Sequence, residues 1–548
     1  MNKTTYLLPF LFVSLLACHN ASERNSRAVD SLAFNRITEA GIISYVKDLS
    51  SDDFQGRKPF TDGEQKTITY LKNAFEQIGL VAGNGQNFFQ KVPMVEITST
   101  PLPILTFKRE SQAVHFKLLD EFVMGSRRVQ PQIDVAQSEV VFAGFGIVAP
   151  EFHWNDYAGL DVKGKTVVVL VNDPGFYDNS LFKGKTMTYY GRWTYKYEEA
   201  ARQGAAGVLI IHDTDAASYG WNVVRSGWSG PQLNLQTTDN GASRCAFEGW
   251  LSADAAKKLF TFAGISADVI EQAKKPGFKP VDLQVTTGAS IQQKTKKSTS
   301  NNVVAKIIGS KRPDECIIYS AHWDHLGVGE AIAGDSIYNG AADNATGLAG
   351  LLEIAKAFKA AKTAPERSIL FIALTGEEEG LLGSEHYATH PIFPLAKTVA
   401  DINVDMLYPI GQTKDLIVTG LGQSEMDDYA RRAAAKQKRT IKPDSNPSAG
   451  HFFRSDHFNF AKVGVPALYL GTGDDVIGQG EAFGLAQKAD FNEHRYHQPA
   501  DEFNETWKLD GMVEDLRLLF DVGYTLSMET SFPQWKEGSE FKAIGEKR

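Results

Sequence analysis

Between residues 34 and 91 apolar side chains recur at spacings of three and four. The stretches ITEAGIISYVKDLS and GEQKTITYLKNAFEQIGL each gather them into one stripe, which predicts two amphipathic helices, the second stopping at Gly79. From about 100 to 290 the rhythm shortens. Runs such as SEVVFAGFGIV and KTVVVLVND alternate with Gly and Pro turns, and one helical stretch, YKYEEAARQGA, precedes the strand-like GVLIIH. The polar stretch QQKTKKSTSNN marks a boundary near 290–302. Beyond it strands and helices alternate: NVVAKIIG, CIIYSAHWDH, the helix ATGLAGLLEIAKAFKAA, RSILFIALT, TVADINVDML, a helix near 424–437, VPALYLG and a closing helix over about 507–527. Continuous apolar strands between amphipathic helices predict an α/β fold, a mixed and mostly parallel sheet flanked by helices on both faces.

Composition narrows the class. A chain of 548 residues, 43% hydrophobic and 22% charged, is globular and too long for one core. A net charge of -9 provides no basic field, so nucleic acid is not an expected partner. The N-terminus reads MNKTTYLLPFLFVSLLACHNASE, one lysine before an apolar run over 6–17 that is too short to span a bilayer. It fits a secretory signal, and Leu15-Leu16-Ala17-Cys18 is similar to a bacterial lipobox, in which Cys18 would carry the lipid. The expected location is therefore the cell envelope, with the membrane touched only through that lipid. Cys245 and Cys316 remain, too few and too far apart for a disulfide framework, and are expected to be structural.

The stretch TGEEEGLLGS places Glu377, Glu378 and Glu379 directly after an apolar strand. In α/β sheets ligands gather in the loops beyond the carboxyl ends of strands. Those loops carry, in order, His322 and Asp324, Asp343, the three glutamates, Asp405 and His497. Zinc takes imidazole nitrogen and carboxylate oxygen, and a catalytic site keeps a position for water. Two ions about 3.5–4 Å apart need a carboxylate between them. Asp343 could bridge, with His322 and Asp405 on one ion and Glu378 and His497 on the other. Three carboxylates leave such a pair electrophilic enough to acidify bound water. Asp324, two residues after His322, is expected to face the same way and orient the imidazole. Glu377 then fits a base that is not itself a ligand. Glu379 is left to solvent or to the start of the next helix.

The motifs SAHWDHLG, YNGAADNATG, LTGEEEGLLGSEHY, INVDML and YHQPADEF resemble, in order and spacing, those of the dinuclear zinc aminopeptidase family, whose relatives include glutamate carboxypeptidase, the transferrin receptor and glutaminyl cyclase. The resemblance covers about 300–530 and the early SDDFQGRKPFTDGEQ, and implies a zinc exopeptidase fold. It assigns His322 and Asp405 to one zinc, Glu378 and His497 to the other, Asp343 to both, and Glu377 to the base role. It also implies a cis peptide between Asp343 and Asn344. His457, in RSDHFNFAKVGVPAL, is the main rival to His497 as last ligand, with His451 and His494 behind it; Asp456 and His457 are otherwise pocket-lining candidates. The β-rich region resembles a protease-associated domain inserted in the catalytic one. The expected organisation is a signal peptide over 1–17, a lipoprotein tether over 18–35, catalytic residues 36–100, the insert over 101–292, and the zinc peptidase domain over 293–548.

The function expected from these readings is removal of N-terminal residues from peptides by an exported enzyme carrying two zinc ions. The alternatives are a carboxypeptidase or dipeptidase, a glutaminyl cyclase, or a non-catalytic receptor on the same fold. Carboxypeptidase action on an acidic substrate would require an arginine cluster, and Arg454 is the one arginine near these motifs in sequence.

Overall fold

The computed structural model describes residues 31–266 and 268–548. The signal peptide, Cys18 and most of the tether lie outside the described residues. The two N-terminal helices form over Glu39–Leu49 and Asp62–Ile78. Gly79 ends the second with φ 91°, a left-handed conformation that a glycine adopts without the clash a Cβ brings.

The sheet of the C-terminal half is α/β, mixed, with a parallel centre. Strand Arg312–His322 lies between Arg367–Leu374 and Thr398–Asn403, parallel to both, and Thr398–Asn403 is parallel to Ala467–Thr472. Asp415–Thr419 then runs antiparallel to Ala467–Thr472 and carries Thr440–Pro443 outside it. The alternation of side chains across a strand explains why both faces need cover. Ile317, Tyr319 and Ala321 pack with Leu348, Leu352 and Phe358 of the helix Thr346–Ala360 and with Leu516 and Phe520 of Asp510–Met528. Cys316, Ile318, Leu370 and Ile372 point the other way, towards Tyr387 and Phe460. Both Cys245 and Cys316 are buried and free.

The polar stretch near 290–302 is extended rather than a loop. It lies within one 27-residue strand, Val281–Ile307, paired antiparallel with Phe89–Pro101 from Ile291↔Pro101 to Val303↔Phe89. Polar residues are at home in a ribbon with exposed edges, which is why composition alone suggested a break. At one end the strand joins the C-terminal sheet beside Arg367–Leu374; at the other it pairs with Gln132–Phe142 of a body with its own cores, built on Thr166–Leu170, Gly207–Ile211 and Phe247–Leu251. Among the described residues no helix is long and apolar enough to cross a membrane.

Candidate metal centre

His322 ends its strand, and the next three loops bring carboxylates to it. Its Nε2 lies 3.2 Å from Asp343 Oδ1 and 3.2 Å from Asp405 Oδ1. His497 Nε2 lies 3.0 Å from Glu378 Oε2 and 3.4 Å from Asp343 Oδ2. Asp343 thus stands between two imidazoles, each with a second carboxylate of its own. One ligand atom from each of His322, Asp343 and Glu378 falls within 4.8 Å of the others. The peptide between Asp343 and Asn344 is cis. His497 has φ 56°, a left-handed conformation that costs a non-glycine residue about 1–3 kcal/mol and is found where the surroundings impose it.

Neighbouring groups fix each carboxylate. The amides of Ala342 and Asp343 donate to Asp501, and the Ser455 hydroxyl donates to Asp405 at 2.5 Å. Asp324 differs from the expectation. Its carboxylate accepts the amides of Glu377 and Glu378, at 3.1 and 3.3 Å, and it is the Asp324 carbonyl that faces His322 Nδ1 at 3.1 Å. The strand stops at His322, so the alternation that would have aimed the Asp324 side chain at the imidazole no longer applies. Asp324 supports the glutamate loop instead.

His325 was not anticipated. Fully buried, it places Nδ1 2.7 Å from Glu378 Oε1, the oxygen opposite the one facing His497. Its place in the SAHWDHLG motif was the available signal, but it stands beyond the strand end, where no periodicity aims it. Arg57, from the early SDDFQGRKPF segment, is also buried and donates to the carbonyls of Trp323, Asn339 and Gly340, pinning the loops that carry His325 and Asp343.

The electrostatics are those of carboxylates gathered out of water. Burial would raise Asp343, but His322 and His497 hold it well below the usual carboxylate range. Burial and Asp343 act to raise Glu378, yet His325 and His497 bring it down to about 2. Burial opposes charge on His497, and Asp343 and Glu378 overcome this, raising it to about 10. Glu377 is raised well above the ordinary value, by burial first and then by Glu378 and Asp405 against the pull of His322. The cluster therefore draws positive charge onto its imidazoles, a demand that divalent metal would also meet. His497 Nε2 is buried close to two carboxylates without hydrogen-bonding geometry to either, as suits a metal ligand. The donor set of two imidazoles and three carboxylates fits zinc.

His457 is not brought to this cluster. It is fully buried, 4.6 Å from the ring of Phe452 and 4.8 Å from that of Tyr469, and burial lowers its pKa to about 3. His451 pairs with Asp444 and His494 with Asp490. Because the folded state holds His457 neutral while the unfolded chain protonates near pH 6.5, stability is full above that pH and falls towards pH 3, by about 1.4 kcal/mol per pH unit. Urea unfolding between pH 7 and 4.5 should show a flatter acid limb for His457→Phe than for the parent. Equal slopes would refute the assignment.

Imidazoles and carboxylates gathered at the carboxyl edge of a parallel sheet are the donor types a metallohydrolase centre uses. Residues 302–520 match the model of peptidase family M28. Carboxypeptidase Q of Xenopus laevis is 26% identical over 313 residues, covering 57% of this chain and 55% of that protein. Aminopeptidase YwaD of Bacillus subtilis (strain 168) is 28% identical over 247 residues, covering 43% and 48%. The chain thus spans about half the length of these two relatives. Among solved structures, the aminopeptidase from Aneurinibacillus sp. strain AM-1 aligns with a TM-score of 0.47 and 20% identity, over 90% of this chain and 95% of that one.

Proposed function

We propose that the protein is an exported exopeptidase, foremost an aminopeptidase, that works with two zinc ions. The observation that carries this reading is Asp343 between His322 and His497, with Asp405 and Glu378 completing the two sides. His322 and Asp405 would hold one ion, His497 and Glu378 the other, and Asp343 both. Zinc bound there supplies polarisation of the scissile carbonyl and acidification of water. Glu377, half-buried and held by its backbone on Asp324, takes the proton of the attacking water and delivers it to the leaving amine. Asp501, Ser455 and Asp324 keep the carboxylates and their loops in place. Secretion through the segment over 1–17 and anchoring through Cys18 complete the proposal from sequence.

The match to carboxypeptidase Q, which covers more of the chain than that to YwaD, supports a second reading as a carboxypeptidase or dipeptidase. Elemental analysis of the purified protein, with hydrolysis of aminoacyl chromogenic amides and their N-acetylated counterparts, separates the two. Two zinc ions with chelator-sensitive cleavage of free-amine substrates alone is the expected result. Cleavage of N-acetylated peptides would transfer the assignment to carboxypeptidase, and absence of bound metal would overturn both.

A further inference from the structure

Behind Asp405 a run of polar side chains crosses the sheet face that Cys316, Ile318 and Phe460 make apolar. Asp401 and Asn403 stand two apart on Thr398–Asn403, so their side chains share that face, and Ser320 of the neighbouring strand pairs with Asn403 in register. All three are fully buried. Ser320 Oγ lies 2.8 Å from Asp401 Oδ1 and 3.2 Å from Asn403 Oδ1. Asn403 Nδ2 donates to Ser455 Oγ at 2.7 Å, and Ser455 donates to Asp405 Oδ2 at 2.5 Å.

Each link has few hydrogens, and counting them from the metal end fixes the direction of every bond. Asp405, as a ligand, is a carboxylate and only accepts, so the single hydrogen of Ser455 goes to it. Ser455 Oγ must then accept, and its donor is the Asn403 amide, which turns Nδ2 to Ser455 and Oδ1 to Ser320. That carbonyl oxygen takes the hydrogen of Ser320. None is left for Asp401, so the 2.8 Å contact between Asp401 and Ser320 needs the hydrogen of a protonated carboxyl. An ionised Asp401 would instead claim the Ser320 hydrogen and leave the Asn403 carbonyl facing a bare oxygen at 3.2 Å, an unmade bond that is costly in the interior.

The surroundings agree with a neutral acid. Asp401 Oδ2 is buried without a hydrogen-bond partner, a heavy penalty for a charge and a small one for a carboxylic acid. The groups that face it are Asp456, whose carboxyl accepts from Ser384, and the phenol of Tyr387. Burial raises Asp401 well above the ordinary carboxylate range; the Ser320 hydroxyl opposes this and Asp456 adds to it. We propose that Asp401 is held as a neutral acid and heads a one-way chain of hydrogen bonds, through Ser320, Asn403 and Ser455, that positions the Asp405 carboxylate for its metal ion. Bonds aligned head to tail strengthen one another, so the chain commits Oδ2 of Asp405 to the protein and leaves Oδ1 turned to His322. This inference rests on the two-zinc reading of the centre and adds Asp401 to it as a positioning residue.

Infrared difference spectra between the parent and Asp401→Asn near neutral pH test the proton directly. The carbonyl band of a protonated carboxyl should be present in the parent and absent from the variant; carboxylate bands in its place overturn the proposal. Chelator competition on the zinc-loaded protein tests the positioning. Asp401→Val should weaken one of the two zinc sites about three- to tenfold, less than the loss of a group touching a ligand. Asp401→Asn, whose amide still donates to Ser320, should recover most of that affinity. Ser320→Ala should cost at least as much as Asp401→Val, and adding Asp401→Val to it should cost nothing further. Equal loss in Asp401→Asn and Asp401→Val would mean that the carboxyl acts as a charge, and additive losses would mean that no chain links the two; either overturns the proposal. Should Asp401→Val fail to fold, Ser320→Ala and Asp401→Asn carry the affinity test. A parent that binds no zinc would count against the two-zinc reading, while the infrared band still decides whether Asp401 is neutral.

Discussion

Glu377→Gln is expected to lower kcat by about a hundred- to ten-thousandfold while leaving the metal content unchanged. The substitution keeps the size and shape of the side chain and removes its capacity to take a proton. The backbone of residue 377 stays held by Asp324, so the loop should persist. Glu378→Gln should do the opposite and lose metal, because that carboxylate faces His497 at 3.0 Å and Asp343 stands beyond it. Elemental analysis and kcat measured on the same preparations check both. If Glu377→Gln loses metal while Glu378→Gln retains it, the division of labour between the adjacent glutamates is reversed.

His325→Phe should weaken binding of one ion about 10- to 100-fold and leave the other nearly unaffected. The imidazole fills a fully buried place, and an added Cβ at Gly340 would come within 2.6 Å of its ring, so there is little room for it to turn aside. Its Nδ1 restrains Glu378 Oε1 and so settles that Oε2 is the oxygen turned to His497. His325→Asn, which retains a donor on a shorter arm, should recover part of the affinity. Competition against a chromophoric chelator gives the two binding constants separately. Unchanged affinity in His325→Phe would mean that the imidazole only fills space.

The parts of the centre that could be read from sequence are those at the ends of apolar strands. His322 follows CIIYSA and the glutamates follow RSILFIAL, and a strand end in a parallel sheet has a known place. Asp405 follows TVADINV in the same way. His325 and the carboxylate of Asp324 lie just past such an end, where alternation no longer applies and a residue's direction is decided by the loop. The regularity of the polar strand over 290–302 was hidden for a different reason. Hydropathy reports burial, and a ribbon can be regular while remaining exposed.

That ribbon also has a mechanical meaning. Its thirteen consecutive pairings, from Ile291↔Pro101 to Val303↔Phe89, make it a beam, and a flexible tether would behave otherwise. The fixed end of the beam is Val303, paired with Ala373, and the chain after Ala373 continues through Thr375 to Glu377 and Glu378. The β-rich body is thus braced at two places, by this beam rooted in the wall of the metal centre and by the contacts of Met187 and Tyr189 with the 447–458 segment, and a load applied to it reaches the strand that aims the glutamates.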